Sequence, residues 1–522
     1  MTLMSDQNSN TKQTISGIDV MRGVGAKPAK GFWADAWDLV IRQWGARLAM
    51  AWIAVVGFFA ITAPYLANGL PIWTTEYTRM PDGSYGEAMR SFSPLWSSLT
   101  SIDLMLLIGG IVAIPWLALP LSVIPLKRSK RLGILCAAVI QSGVTLVLVM
   151  GISDFVRGDH ASDWMRNAAT AIRWTAPFVV GVVIAALCIW LPTFKRFTGR
   201  VVLVAIVLVA SGLASAERWS TPISNYERYI EGEIDGRYSN TYTIIPWSPN
   251  QSRTDLYLVD PMETVAEKLT ADNEERAKEG RPAANLNEIE GKYGERRFLL
   301  GTDAVGQDVL SQMMHACRLS ISIGLVSTGI SVFIGIVIGS LMGYFGGWVD
   351  LLLSRIVEVF LAIPVLFLLI VAAAVLPRNT YVMMAIIGCV SWTLAARFIR
   401  AEFLSMRKQD FVQAARAAGL PLRSVLFRHM LPNGVTPVLV QASFAIAAAI
   451  LAEATLSFLG LGPVDQASWG KLLSSATGTT GTFVWWLAIF PGLAIFLTVL
   501  AYNLLGEAFQ TAIDPKLRKA AH

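Results

Sequence analysis

Histidine and cysteine are scarce in this chain of 522 residues, which contains four of each. The cysteines, at positions 136, 188, 317 and 389, show no CxxC or ligand spacing, so we expect neither a disulfide framework nor a structural zinc site. No HExxH pair and no GxSxG occur, so no catalytic residue and no metal site are predicted. The phosphate-binding pattern GxxxxGK[ST] is missing as well. We therefore predict that the chain is not an enzyme and that any ATP-driven work needs a separate subunit.

Charged residues are also few, at 15% of the chain against 54% hydrophobic residues. This is more apolar surface than one soluble core can bury, which predicts an all-α polytopic protein in a lipid bilayer. The net charge of +6 is explained by basic loops on one side of the membrane, and no nucleic-acid partner is expected. The first 31 residues lack the apolar core of a signal peptide, so the first apolar span is expected to act as the anchor.

Ten apolar runs have lengths close to the roughly 20 residues that cross a bilayer. In chain order they are 48–66, 104–126, 132–152, 174–191, 201–216, 321–344, 351–376, 381–398, 435–459 and 483–505. The first follows an N-terminal segment, 1–47, that ends in a tryptophan-rich amphipathic stretch. The sequence therefore predicts about ten transmembrane helices.

Basic loops set the expected orientation of these helices. LKRSKR at 126–131 and FKRFTGR at 194–200 are short and positively charged, which places them in the cytoplasm. Both termini, including the tail 509–522, are then cytoplasmic, whereas 71–101 and 217–318 lie outside. The first outer segment is polar and turn-rich. The second is long enough for an α+β or irregular insertion, with helix expected within 263–297.

The segment DFVQAARAAGLPLRSVLFRHMLPN, 410–433, is polar and basic between apolar runs. Gly419 suits a helix C-terminus and Pro421 the first turn of the next helix, so we predict two short helices with a break. One face would pack on the parent chain and leave the alanine-rich helix to meet a partner. The alternative is a pair of amphipathic helices lying on the membrane. Between 397 and 433 seven basic residues face two acidic ones, which indicates the cytoplasmic side.

A second motif, GTDAVGQD, precedes the sixth apolar run. It supplies Gly301, Thr302, Asp303, Gly306 and Asp308. The glycines allow a tight turn, and Thr302 or Asp303 is expected to cap a helix that begins nearby. A calcium loop or a catalytic aspartate pair is the competing interpretation, although no further carboxylates follow at EF-hand spacing.

Three features within the apolar runs carry separate expectations. Gly335, Gly339 and Gly343 recur every fourth residue, which favours close helix packing over a pore-lining face. Glu358 is expected to pair locally with Arg355. Glu453 is an intramembrane carboxylate, for which we predict a place on the translocation path or a polar contact between helices.

The segment 410–433 resembles the EAA loop of bacterial ABC importer permeases. The match rests on Ala414, Ala415, Gly419, Leu431 and Pro432, whereas Gln413 stands where the family pattern has glutamate. The outer motif resembles the Gly-Thr-Asp-x-x-Gly-x-Asp pattern of dipeptide, oligopeptide and nickel permeases. Both motifs occur in the family's order, so the chain resembles a permease of that family.

This resemblance implies a type I importer core over 319–508, completed by the first span, 48–66. It implies that the loop 407–433 couples the chain to an ATPase through Asp410, Gln413, Ala414, Ala415, Gly419, Leu431 and Pro432. ATP and magnesium would be bound by that partner and no cofactor by this chain. The four helices within 104–216 are an insertion that the family lacks.

The implied assembly contains a homologous second permease, two ATP-binding subunits and an extracytoplasmic substrate-binding protein, in the bacterial inner membrane. Its substrates would be di- or oligopeptides. The alternatives are a permease for nickel or another small solute, an ATP-independent channel, a membrane-embedded enzyme, or a scaffold subunit that docks the ATPase without a substrate path.

Overall fold

The computed structural model describes residues 32–81, 85–119, 225–283, 286–289, 292–464, 466–477 and 483–513, with a few isolated positions between 131 and 205. Most of the predicted insertion, 104–216, lies outside these residues, as do 1–31 and 514–522. The first predicted helix of the insertion falls within the described part of the chain.

In chain order, the helices and strands of the described residues are α1 (Phe32–Arg42), α2 (Trp44–Leu66), β1 (Trp73–Arg79), β2 (Tyr85–Phe92), α3 (Pro94–Ser98), α4 (Ser101–Ala118), α5 (Tyr226–Ile234), β3 (Tyr238–Thr241), α6 (Val265–Lys278), α7 (Leu286–Ile289), α8 (Val309–Phe345), α9 (Gly347–Ala362), α10 (Val365–Val375), α11 (Thr380–Val390), α12 (Thr393–Met406), α13 (Asp410–Ala417), α14 (Leu422–Ser424), α15 (Leu431–Gly434), α16 (Thr436–Phe458), α17 (Trp469–Ser475) and α18 (Trp485–Ile513). A short 3₁₀ helix covers Thr254–Leu256, and a π-helical turn covers Val425–Met430.

Four of the described helices, α2, α8, α16 and α18, are long and apolar enough to cross a membrane. Two bent pairs, α9 with α10 and α11 with α12, raise the number to six if each pair forms one span. These positions correspond to the predicted first span and the five predicted spans after 318. Membrane helices therefore form the core of the molecule, as predicted.

The predicted span 351–376 is not one straight helix. It is broken between α9 and α10, whose axes differ by 83°. The cause is Pro364, because proline disfavours helical backbone in the residue before it, and Ile363 adopts the extended conformation. The next span also bends, by 42°, between α11 and α12.

The longest of the described helices, α8, has 37 residues and is about 55 Å long at 1.5 Å per residue. Gly335, Gly339 and Gly343 lie along one of its faces, as predicted. A Cβ atom at each position would collide with α12, for example with the Ala396 carbonyl at Gly339 and with Phe403 at Gly343. The glycines therefore allow α8 and α12 to pack with their backbones close together.

The segments 71–101 and 217–318, which are predicted to lie outside the membrane, are called the outer region, and their strands form a three-stranded antiparallel sheet in the order β2-β1-β3. Thr75 on the central strand is paired with Ser91 of β2 and with Ser239 of β3. Within the polar, turn-rich segment 71–101, the strands β1 and β2 form an antiparallel pair that was not predicted. The helix expected within 263–297 is α6, whose first turn is closed by a capping box between Thr264 and Glu267.

The N-terminal helix α1 packs on the last turns of α18. Ala36 and Val40 are buried against Ala508 and Ala512, and the ring of Trp37 lies 6.2 Å from that of Phe509. A break at Gln43 separates α1 from α2, so the predicted amphipathic helix exists but does not run continuously into the first span.

Candidate functional site

The first part of the predicted coupling segment is the helix α13, which ends as the sequence predicts. Gly419 has φ +68°, its N–H donates to the Arg416 carbonyl at 2.9 Å, and the Leu420 N–H donates to the Ala415 carbonyl at 3.2 Å. This pair of bonds is the Schellman motif, in which a left-handed residue closes a helix. Gly419 therefore fixes where α13 ends.

The inward face of α13 holds the helix on its own chain. Val412 and Ala415 are buried in a cluster that also contains Phe403, Met406 and Leu426. Only 6% of Ala415 is exposed. The Ala415 side chain therefore packs inside the chain, and its role in coupling stays a prediction.

The outward face of α13 and the turn after it form an exposed apolar surface. Its members are Phe411, Ala414, Ala417, Ala418, Gly419, Leu420 and Leu422. Small side chains at its centre let another backbone approach closely, and the larger apolar side chains lie at its edges. We call these seven residues the exposed apolar surface.

The second part of the segment is continuous but irregular. The predicted second helix consists of α14, the π-helical turn and α15. In a regular α-helix the ring of Pro432 would clash with the Arg428 carbonyl. The turn just before Pro432 is π-helical, so this carbonyl does not have its α-helical position. Met430 is buried, Leu431 is half-buried and Pro432 is exposed.

Polar contacts place α13 against the ends of the neighbouring helices. The Arg416 guanidinium lies over the ring of Tyr344 at 5.9 Å, which joins α13 to the end of α8. Arg400 of α12 forms a bidentate ion pair with Asp350 of α9, at 2.5 and 2.7 Å. The first contact joins α13 to α8, and the second joins α12 to α9.

Two predicted coupling residues lie near the start of α13. Asp410 is exposed in the first turn, where a carboxylate interacts favourably with the helix dipole. The Gln413 side-chain amide donates to the Arg407 carbonyl at 3.1 Å. Both residues are exposed, and each precedes a member of the exposed apolar surface in the chain, Phe411 or Ala414.

The outer motif forms a junction between three parts of the chain. The Thr302 hydroxyl accepts from the Val259 N–H and donates to the Leu256 carbonyl, each at 2.7 Å. The Thr302 carbonyl accepts from the Trp486 indole N–H at 3.0 Å. Thr302, which lies shortly before the start of α8, therefore connects the outer region to the beginning of α18.

Asp303 organises the turn within this junction. One carboxylate oxygen accepts from the N–H groups of Val305 and Gln307 at 3.0 and 2.9 Å. The other accepts from the Gln312 side chain at 2.8 Å. Since both oxygens are engaged inside the chain, the geometry favours a structural turn over a calcium loop or a catalytic pair.

Asp308, rather than Thr302 or Asp303, caps α8. Its carboxylate accepts from the Ser311 N–H at 2.7 Å. Burial raises the pKa of Asp308 to about 7, against the opposing effect of that hydrogen bond. The motif glycines have positive φ, +79° at Gly301 and +74° at Gly306. A Cβ atom at Gly306 would collide with the Arg253 carbonyl, so this position requires glycine.

Glu453 lies in α16 and is 1% exposed. Its carboxylate accepts from the hydroxyls of Ser457 and Ser468 at 2.6 and 2.7 Å. Ser468 also accepts from the Gly470 N–H and caps α17. This geometry supports the polar contact between helices, whereas a place on the translocation path stays a prediction. The local pair between Arg355 and Glu358 is present at 2.6 Å.

Sequence reasoning missed two residues that organise these sites. Trp486 completes the outer junction, and Arg318 of α8 forms an ion pair with Asp103 of α4. The signal for Arg318 was present, since a charged residue at the beginning of an apolar run needs a partner. The partner could not be identified, because it lies 215 positions earlier in the chain.

Comparisons with known proteins identify a family and several relatives of this chain. Residues 335–519 match the family described as binding-protein-dependent transport system inner membrane component. The dipeptide transport system permease protein DppC of Alkalihalophilus pseudofirmus is 34% identical over 233 residues, which are 44% of this chain and 76% of that protein. The di/tripeptide transport system permease protein DppC of Pseudomonas aeruginosa is 40% identical, over 44% of this chain and 75% of that protein.

The oligopeptide transport system permease protein OppC of Haemophilus influenzae is 36% identical, over 43% of this chain and 72% of that protein. These relatives are matched over nearly three quarters of their length or more, whereas less than half of this chain is matched. The chain belongs to the family of binding-protein-dependent transport system inner membrane components, as a permease of the ABC peptide-transporter type, in a bacterial inner membrane.

Proposed function

We propose that this chain is a permease subunit of an ATP-driven importer for di- or oligopeptides. It forms the translocation path together with a homologous second permease. Two ATP-binding subunits act from the cytoplasm and an extracytoplasmic binding protein delivers the substrate. Both termini are cytoplasmic in this proposal.

The observation that carries the proposal is the exposed apolar surface on α13 and the turn after it. Apolar side chains such as Phe411, Leu420 and Leu422 face outward, on a segment whose basic residues favour the cytoplasmic side. An exposed apolar patch outside the membrane marks an interaction site. A cytoplasmic ATPase is the partner that the family of the chain implies.

The proposed mechanism transmits motion through α8. When ATP and magnesium close the partner ATPase subunits, the force reaches α13 at the exposed apolar surface. Arg416 and Tyr344 pass it to the cytoplasmic end of α8. The other end of α8 is its first turn, which Asp308 of the outer junction caps. A rigid-body shift of this helix would thus link the ATPase to the outer opening, as in other domain-closure transitions.

Peptides are the proposed substrate class because the relatives are named for the transport of dipeptides, di/tripeptides and oligopeptides. Nickel or another small solute is the alternative, and a direct assay separates the two. In importers that depend on a binding protein, that protein makes the first selection. The substrate test therefore has to include it.

The test is reconstitution of the chain in proteoliposomes with the permease, ATPase and binding-protein products of its neighbouring genes. We expect ATP-dependent uptake of labelled di- or tripeptides and stimulation of ATP hydrolysis by the loaded binding protein. Uptake of nickel without peptide uptake would overturn the substrate class. Uptake by the chain alone, without ATPase subunits, would overturn the proposed mechanism.

A further inference from the structure

Arg318 lies on α8 and contacts two other helices. Its Nη1 donates to Oδ1 of Asp103 on α4 at 2.5 Å. Its Nε donates to the main-chain carbonyl of Ala60 on α2 at 3.1 Å. One guanidinium group therefore joins the first span, the first helix of the segment that the family lacks, and the long helix α8 of the transport core.

The Ala60 carbonyl is available because of Pro64. In an α-helix the carbonyl of residue 60 accepts from the N–H of residue 64, and proline has no N–H. Pro64 lies inside α2, and Arg318 takes the place of the missing donor. A carbonyl without a donor is costly at membrane depth unless another group satisfies it. The bond therefore satisfies the Ala60 carbonyl and gives the Arg318 guanidinium an acceptor.

Asp103 is also fixed in its place. It belongs to the capping box at the start of α4, where its carboxylate accepts from the Thr100 N–H at 2.8 Å and from the Thr100 hydroxyl at 2.7 Å. Its side chain is 6% exposed, and that of Arg318 is 26% exposed. The charge pair is thus largely removed from water, where loss of either partner is far more costly than at a surface.

We propose that Arg318 makes α2, α4 and α8 one rigid unit, so that the added helix α4 moves with the transport core during the transport cycle. Arg318 is a positioning residue in this proposal. The first helix of the added segment is then an integral part of the permease rather than a loosely attached accessory. This assigns a mechanical role to the beginning of 104–216, a segment that the family resemblance leaves unexplained.

The first test is a double-mutant cycle on the purified full-length chain, read as the apparent unfolding temperature from tryptophan fluorescence. We expect Asp103→Asn and Arg318→Gln each to lower this temperature, and the double variant to fall no further than the more damaging single variant. Thr100→Ala breaks the capping box but keeps the ion pair. Glu76→Gln breaks the half-exposed pair with Arg237 and controls for the loss of a surface charge pair.

Additive effects of the two substitutions, or shifts no larger than that of Glu76→Gln, would overturn the proposal. Should Arg318→Gln fail to accumulate, Arg318→Lys replaces it in the cycle. Lysine keeps the charge but cannot reach Asp103 and the Ala60 carbonyl with the fork of a guanidinium. We expect Arg318→Lys to lower the unfolding temperature by part of the amount seen for loss of the charge. An unchanged unfolding temperature would mean that the contact with the Ala60 carbonyl is irrelevant, and would also count against the rigid unit.

The second test measures movement and rests on the proposed function, because it uses the assembly with ATPase subunits. Spin labels at Ile111 of α4 and Leu325 of α8, both exposed, report the distance between the helices once the native cysteines are replaced. We expect the same distance with and without ATP and magnesium, and a broader distribution in Arg318→Gln. A nucleotide-dependent change in the distance between the two labels, in the chain that retains Arg318, would overturn the rigid unit. Failure to bind ATPase subunits would overturn the proposed function alone, since the first test needs none.

Discussion

The side-chain amide of Gln413 donates to the main-chain carbonyl of Arg407 at 3.1 Å. Arg407 follows the last turn of α12, where helix carbonyls lack partners within the helix. The bond therefore ties α13 to the end of α12. A glutamate, which the EAA pattern has at this position, carries no hydrogen to donate when ionised. The departure from the family pattern thus has a local structural role.

We expect Gln413→Glu to destabilise the packing of α13 on α12. The loss should be about 1 kcal/mol or less, because the bond is exposed and water competes for it. Urea unfolding of the purified chain measures this effect, and Gln413→Ala separates the loss of the donor from the added charge. A Gln413→Glu chain as stable as the original would show that the amide bond contributes nothing.

The contact between α8 and α12 predicts a sharp difference between two glycines on the same helix. Gly339→Ala places a Cβ atom against the Ala396 carbonyl, whereas Gly329→Ala meets nothing within 4 Å. The first change should cost about 1–3 kcal/mol through forced separation of the helices. The second should be neutral or stabilising, since alanine favours helices. Equal unfolding midpoints for the two variants would contradict the close packing.

The outer junction predicts a similar contrast between two glycines with positive φ. Gly306 and Gly280 have φ +74° and +70°, so alanine at either position carries the same left-handed cost of roughly 1–2 kcal/mol. Only at Gly306 does the new Cβ atom also collide with a carbonyl, that of Arg253. Thermal unfolding should therefore show Gly306→Ala to be clearly less stable than Gly280→Ala. The reverse order would count against the turn geometry.

Asp308 predicts a pH dependence of stability. Burial raises its pKa to about 7 in the folded chain, against about 3.9 for an unperturbed aspartate. The folded state therefore holds this proton more tightly than the unfolded state, and the contribution of Asp308 to stability falls as pH rises from about 4 to about 7.

The matched variant is Asp308→Asn, which keeps an N-cap acceptor for Ser311 but cannot ionise. We expect its unfolding temperature to exceed that of the original chain at pH 8 and to change less between pH 5 and pH 8. If the original chain and Asp308→Asn share one pH profile, Asp308 does not titrate in this range.

Local chemistry was enough to predict several features. Gly419 ends α13 because a left-handed residue was needed there, and the spacing of Gly335, Gly339 and Gly343 placed them on one face. Non-local partners were not predictable in the same way. The hairpin of β1 and β2 is extended by β3, which lies about 150 positions further along the chain, and no local pattern gives that pairing.

Two features that were not predicted had visible signals in the sequence. Pro364 lies within the predicted span 351–376 and breaks it, because proline restricts the residue before it. Ala415 follows Val412 at a spacing of three, which puts both on the inward face of α13. A charge at Ala415 would therefore disturb the fold itself, so it does not test coupling. Ala414, on the outward face, is the position that does.

The central claim is that the exposed apolar surface couples this permease to ATP hydrolysis. The most direct measurement is peptide uptake and binding-protein-stimulated ATPase activity of the reconstituted assembly containing Ala414→Asp. Ala271→Asp, at an exposed position of the outer helix α6, is the matched control. We predict normal accumulation of both variants in the membrane, with uptake and stimulated hydrolysis reduced about tenfold or more only in Ala414→Asp, the effect of losing about 1.4 kcal/mol of interface energy. Uptake by Ala414→Asp at the rate of the Ala271→Asp control would contradict the claim.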